Sequence, residues 1–147
     1  MLTGRFGDTS GRPYIEGRLS LPRLGIAANV SFLIDTGADR SVLMPLDGTR
    51  INLDYSCLEN ETRCTGIGGS SVAFHESGVI SFSDGIAIYM YEVGLLIPKP
   101  KRGTMKTPSV LGRDVLNRLV IRYDFQNLCI EMEYYIADQI LPVPNRE

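Results

Sequence analysis

Apolar and polar positions alternate with a period of two along most of this chain, the spacing of strands that bury one face. The pattern starts at Pro13, where Tyr14, Ile15, Leu19 and Leu21 are interleaved with Glu16, Arg18 and Ser20. A second run, Ile26 to Ile34, is rich in strand-forming residues and ends on Asp35. Leu21-Pro22-Arg23-Leu24-Gly25 between them supplies turn residues, so the pair predicts a hairpin. Ser41 to Met44 predicts a short strand stopped by Pro45, and residues 46–64 a polar loop with a short strand or turn. Val72 to Phe82 and Ile86 to Ile97, joined by Ser83-Asp84-Gly85, predict a second hairpin. Leu119–Tyr123 and Leu128–Glu133 predict a third. Helical spacing occurs only over Asp114 to Leu119, where Val115, Leu116 and Leu119 form an apolar stripe and Asp114 caps or occupies the first turn. Residues 1–12, polar and glycine-rich, predict a loose arm, and the proline-rich end from Leu141 a flexible, irregular tail. The sum is an all-β fold of short strands with one short helix near the C-terminus.

Length and composition narrow this further. A chain of 147 residues suits one domain spanning 1–147. With 44% hydrophobic and 22% charged residues it can build a core. A net charge of −2 gives no reason to expect nucleic acid as a partner. No apolar run reaches bilayer length, and the first residues lack a signal-peptide core, so no membrane segment and a cytoplasmic location are expected. Cys57, Cys64 and Cys129 are odd in number and lack metal-ligand spacing, which predicts free thiols. The single His75 offers no multi-histidine metal site and no clear pairing with a nucleophile; it predicts a surface strand residue. Neither a metal nor another cofactor is expected.

Three short segments carry the chemistry: Asp35-Thr36-Gly37-Ala38-Asp39, then Gly66-Ile67-Gly68-Gly69, then Val110-Leu111-Gly112-Arg113-Asp114. In the first, the apolar run Phe32-Leu33-Ile34 delivers Asp35 to a tight turn. Gly37 tolerates the backbone angles such a turn demands, and the Thr36 hydroxyl can donate and accept. Hydrolysis of an amide by acid–base chemistry needs one group to activate water and another to protonate the substrate. Two carboxylates sharing a proton do both. The chain holds one such aspartate, so a two-fold axis between two copies of Asp35 is the economical source of the second.

In their order and context these segments resemble the retroviral-type aspartic proteases, the retropepsins, and their cellular and bacterial relatives. The likeness covers roughly residues 12–133. It implies a small closed β-barrel, an obligate homodimer, and cleavage of peptide or protein substrates as an aspartic endopeptidase. By the same resemblance Asp35, Thr36 and Gly37 are the catalytic segment, with Thr36 bonding across the dimer axis. Ala38, Asp39, Gly66, Ile67, Gly68 and Gly69 are substrate-binding, the glycines at the tip of a flap. Arg113 supports the site by pairing with Asp39 in a partly buried place, and Arg12-Pro13 loosely matches an N-terminal Arg-Pro that reaches the partner. The chain departs from the pattern at Arg40, where viral members often have an acid or a small residue. It also differs in a longer stretch from Asp35 to Gly66 and in a basic loop carrying Lys99, Lys101, Arg102 and Lys106.

Plainer readings stand beside these. A D-T-G triplet can be a simple strand-end turn, a glycine cluster an ordinary hairpin, and a basic loop a solvated surface. A dimeric module that binds peptides with weak or no turnover is the alternative function, although a pure binder has no need of a protonated carboxylate pair. An unrelated β-barrel binding protein is more distant.

Overall fold

In the computed structural model the chain is described over residues 1–7, 9–66 and 69–145. Three hairpins appear where the alternation predicts them. Strands β2 (Pro13–Leu21) and β3 (Ile26–Ile34) pair in antiparallel register from Tyr14 opposite Leu33 to Leu21 opposite Ile26. Gly25 adopts φ 65° at their turn, a conformation that costs glycine nothing. The alternation sorts side chains as expected: Ile15, Leu19, Leu21, Val30, Phe32 and Ile34 point inward.

Four segments differ from expectation. Leu2–Phe6 is not a loose arm but a strand, β1, which pairs with β2 on one side and with a late strand on the other. Burial of Leu2 at 3% exposure and bonding on both sides hold it in place. Asp8, within the same expected arm, lies outside the described residues. Pro45–Arg50 is a helix, α1, rather than loop, started by Pro45, whose fixed φ suits the first helical position. The short strand or turn expected within 46–64 is a strand at its end that runs on past it, β4 (Asn60–Gly66), which pairs with β5 (Gly69–Ser83). The tail also forms a strand, at Gln139–Pro142. A second helix, α2, covers Arg113–Leu116, so the described residues hold two short α-helices where one was expected.

The remaining strands are β6 (Ala87–Pro98), β7 (Val110–Leu111), β8 (Leu119–Asp124), β9 (Cys129–Tyr134) and the tail strand β10 (Gln139–Pro142). The main path of the sheet runs β10-β6-β5-β2-β1-β9-β8, with β3 branching from β2 and continuing to β7, and β4 branching from β5. Asp138 anchors the tail strand: it accepts from the Arg118 guanidinium and the Glu92 N–H, each at 2.7 Å. Those donors hold its carboxyl below the usual range, Arg118 foremost. Pro142 is tolerated because β10 is an edge strand. Arg146 and Glu147, the end of the expected tail, lie outside the described residues.

The expected strand at Ser41–Met44 reduces to one residue with a large role. Val42 bridges antiparallel to Val110 and parallel to Leu96. It therefore joins β7 to β6 and closes a ring β2–β3–β7–Val42–β6–β5–β2, inside which Phe32, Leu43, Tyr91, Leu95, Ile97 and Leu111 are buried. Cys57, Cys64 and Cys129 are free thiols. Among the described residues no helix is long and apolar enough to cross a membrane.

Candidate active site

Asp35 follows the last residue of β3, where the parallel pairing with β7 ends; its N–H donates to the Leu111 carbonyl at 3.1 Å. The strand places it, and the turn then folds back on it. The Gly37 N–H donates to Asp35 Oδ1 at 2.9 Å, and the Ala38 N–H to the Asp35 carbonyl at 3.2 Å. Gly37 is not in the left-handed region, so its expected role as a backbone exception is corrected. Its value is space: an added Cβ would stand 3.1 Å from Asp35 Oδ1, crowding the carboxylate that its amide holds. The other oxygen of Asp35 receives no hydrogen bond from the described residues.

Helix α2 backs this loop. The Arg113 N–H donates to the Ala38 carbonyl at 2.8 Å and its Nη1 to the Thr36 carbonyl at 2.7 Å. Its Nη2 pairs with Asp39 Oδ1. The expected Asp39–Arg113 pair is therefore present, but its setting differs. The side chains are 86% and 38% exposed, so the pair is a solvated one and contributes little to stability. The buried support comes from residues that pattern reading missed. The Ser41 hydroxyl, fully buried, donates to Asp114 Oδ1 at 2.8 Å and accepts the Gly112 N–H at 3.1 Å. Asp114 Oδ2 also accepts the Ser41 N–H at 2.9 Å. Its place two residues after Gly112 shows only a helix start in the sequence; the partner lies 73 residues earlier. Gly112 itself is required by close approach, since a Cβ there would lie 2.5 Å from the Arg40 carbonyl carbon.

Across from this loop stands the hairpin β4–β5, in register from Asn60 opposite His75 to Gly66 opposite Gly69. The expected tip residues Ile67 and Gly68 lie outside the described residues. Between hairpin and loop runs a groove of ≈ 480 Å³ lined by Gly37, Ala38, Asp39, Arg40 and Val42 on one side. Leu96, bridged to Val42, belongs to the same wall, and Thr62, Arg63, Cys64 and His75 line the other. Of the expected site residues, Gly37, Ala38 and Asp39 thus meet at one groove beside Asp35. Thr36 is exposed next to it. The Arg12 carbonyl accepts the Gly7 N–H at 2.7 Å in the β1–β2 connection. A larger concavity, ≈ 750 Å³ around Arg23, Glu76 and Glu92, lies elsewhere and shares no lining residue with the groove.

No protein-family model and no curated protein sequence matches this chain. Solved structures do. A retropepsin-like aspartic protease from Rickettsia conorii superposes with a TM-score of 0.61 at 17% identity, covering 95% of this chain and 92% of that one. EIAV protease, complexed with the inhibitor HBY-793, superposes with a TM-score of 0.51 at 21% identity, covering 76% of this chain and 90% of that one. The chain has the retropepsin-like all-β fold.

Proposed function

We propose that this chain is an aspartic endopeptidase, active as a homodimer in which each subunit contributes Asp35. The observation that carries this reading is the single carboxylate at the end of β3: one oxygen is fixed by the Gly37 amide, and the other is left without a donor among the described residues. A second Asp35, brought up across a two-fold axis, would share a proton with that oxygen, because two adjacent carboxylates cannot both ionise. The ionised member then takes a proton from water as the water attacks the peptide carbonyl. The protonated member donates to the carbonyl oxygen, and a proton returns to the leaving nitrogen as the C–N bond breaks.

The likeness of fold supports this reading, and so does the edge of the sheet. Among the described residues β8 pairs with β9 alone, and Val120 and Tyr123 on it are 58% and 56% exposed. Such an edge is a template for a further strand. It directly follows α2, the helix that backs the Asp35 loop, so a second copy pairing there would lie close to the site. The hairpin β4–β5 would serve as the flap, with Gly66 to Gly69 at its tip.

The test is digestion of a peptide library by the wild type and by Asp35→Asn, at several acidic to neutral pH values. The variant is nearly isosteric and should remain folded but lose hydrolysis. Activity near the wild-type level in the variant would remove Asp35 from the mechanism. Specific activity should also fall on dilution, and an active, strictly monomeric species would sink the shared site.

A further inference from the structure

Arg40 follows Asp39 directly at the end of the Asp35 loop. Its side chain is exposed and lines the groove beside Asp35. Its Nη1 lies 3.1 Å from Nδ1 and 3.3 Å from Nε2 of His75. An atom that close to both ring nitrogens cannot approach in the ring plane without colliding with the carbon between them. The guanidinium therefore rests over the imidazole face, which orients it and leaves most of its five N–H donors unspent.

No carboxylate answers this charge among the described residues. The acid beside it in sequence, Asp39, pairs with Arg113, and Glu61 on β4 pairs with Lys99 at 3.1 Å. Arg63 adds a second cation from the opposite wall. The lining of the groove thus holds two cations, Arg40 and Arg63, against one carboxylate, Asp39, which Arg113 already answers, in a chain of net charge −2. Val42 and Leu96 offer an apolar wall for a short methylene stem.

We propose that Arg40 makes this groove a subsite for a carboxylate on the peptide substrate, so that the enzyme prefers Glu or Asp at one position near the bond it cuts. The proposal rests on the endopeptidase reading above and names its substrate class. A planar guanidinium fits a carboxylate with two parallel hydrogen bonds, a match that neither an amide nor an ammonium group reproduces. The carboxylate is assigned to a side chain rather than to a peptide C-terminus, because the substrate of an endopeptidase continues on both sides of the bond it cuts.

The experiment takes a peptide that the wild type cleaves, with both ends blocked, and walks Glu, Gln and Lys through each position around the cleaved bond. Glu should exceed Gln by roughly tenfold in kcat/KM at one position, with Lys lower still. Arg40→Gln should erase that ratio, and Arg40→Glu should turn the preference toward Lys. Equal rates for Glu, Gln and Lys at every position, or a Glu preference that survives in Arg40→Gln, would overturn the proposal while leaving the proteolytic reading intact. A preference that appears only when the peptide ends in a free carboxylate would overturn its assignment to a side chain. Binding gives a readout independent of turnover. Measured by fluorescence anisotropy on the Asp35→Asn protein, the Glu peptide should bind roughly tenfold more tightly than the Gln peptide at low salt, a gap that narrows as salt screens it. Equal affinities there would refute the subsite whether or not the wild type hydrolyses peptides.

Discussion

Gly112→Ala is the substitution that most directly tests how the Asp35 loop is held. The added methyl would sit 2.5 Å from the carbonyl carbon and 2.6 Å from the oxygen of Arg40, and 3.0 Å from the Ala38 oxygen. Ordinary carbon contacts need about 3.5–4.0 Å, so the backbone at 38–40 must move by roughly 1 Å. These are backbone atoms and no rotamer change relieves them. Nor can the loop move alone. The Ala38 carbonyl accepts the Arg113 N–H at 2.8 Å, and the Gly112 N–H donates to the buried Ser41 hydroxyl at 3.1 Å. Overpacking of this kind costs about 1–3 kcal/mol, and weakening the two hydrogen bonds adds about 1 kcal/mol. A total near 3 kcal/mol corresponds to a fall in Tm of roughly 6–12 °C for a domain of this size. Thermal and urea unfolding, followed by circular dichroism at one fixed protein concentration, measure it. The urea midpoint should fall with little change in slope. Gly94→Ala is the control, because nothing lies within 4 Å of a Cβ there; it should stay within about 0.5 kcal/mol of the wild type. If Gly112→Ala unfolds within that same margin, the close approach does not organise the loop and the reasoning fails.

Other outcomes follow from the same contacts. Ser41→Ala leaves the buried Gly112 N–H without its acceptor and takes from Asp114 one donor, the backbone N–H of residue 41 remaining, and should cost about 1–3 kcal/mol in urea unfolding; a neutral result would mean water or another group replaces the hydroxyl. Arg113→Ala should cost only about 1–2 kcal/mol, since the exposed pair with Asp39 adds little and the bond to the Thr36 carbonyl supplies the rest. Its hydrolysis should fall much further than its stability, and Arg113→Lys should recover part of it; a proportional loss of both would place Arg113 in the core rather than behind the site. Tyr91 is fully buried, and among the described residues its hydroxyl has no partner. Burial pushes its pKa up to about 12. The unfolded chain releases that proton near pH 10 and the folded one only near 12, so stability should decline as pH rises from about 10 to 12. Tyr91→Phe should flatten that decline and be neutral or stabilising near pH 7, which unfolding curves across that range would show or deny.

The alternation in β2, β3 and β6 determined those strands locally, because each apolar side chain there buries on the face its own spacing selects. The turn at Gly25 and the aspartate at the end of β3 were legible for the same reason: their signals lie within a few residues of their effect. Leu2–Phe6 was not legible, since Leu-Thr-Gly-Arg-Phe has little strand character of its own and is held by Ile130 to Met132, far along the chain. Nor was the weight carried by Val42, a single residue that becomes the link between β6 and β7 only once both strands stand on either side of it. The tail strand arises because β6 leaves an edge open to it, and an edge tolerates a proline that a central strand would refuse. At the site the sequence named Asp35, Asp39 and Arg113 but assigned the pair to a partly buried place. Exposure is set by what the fold packs above a residue, and the described residues leave the Asp39 side chain 86% exposed. The buried support through Ser41 and Asp114, and the stacking of Arg40 on His75, join residues 73 and 35 positions apart. Nothing in local pattern couples such positions; only closure of the ring brings them within hydrogen-bond range, and with them the groove.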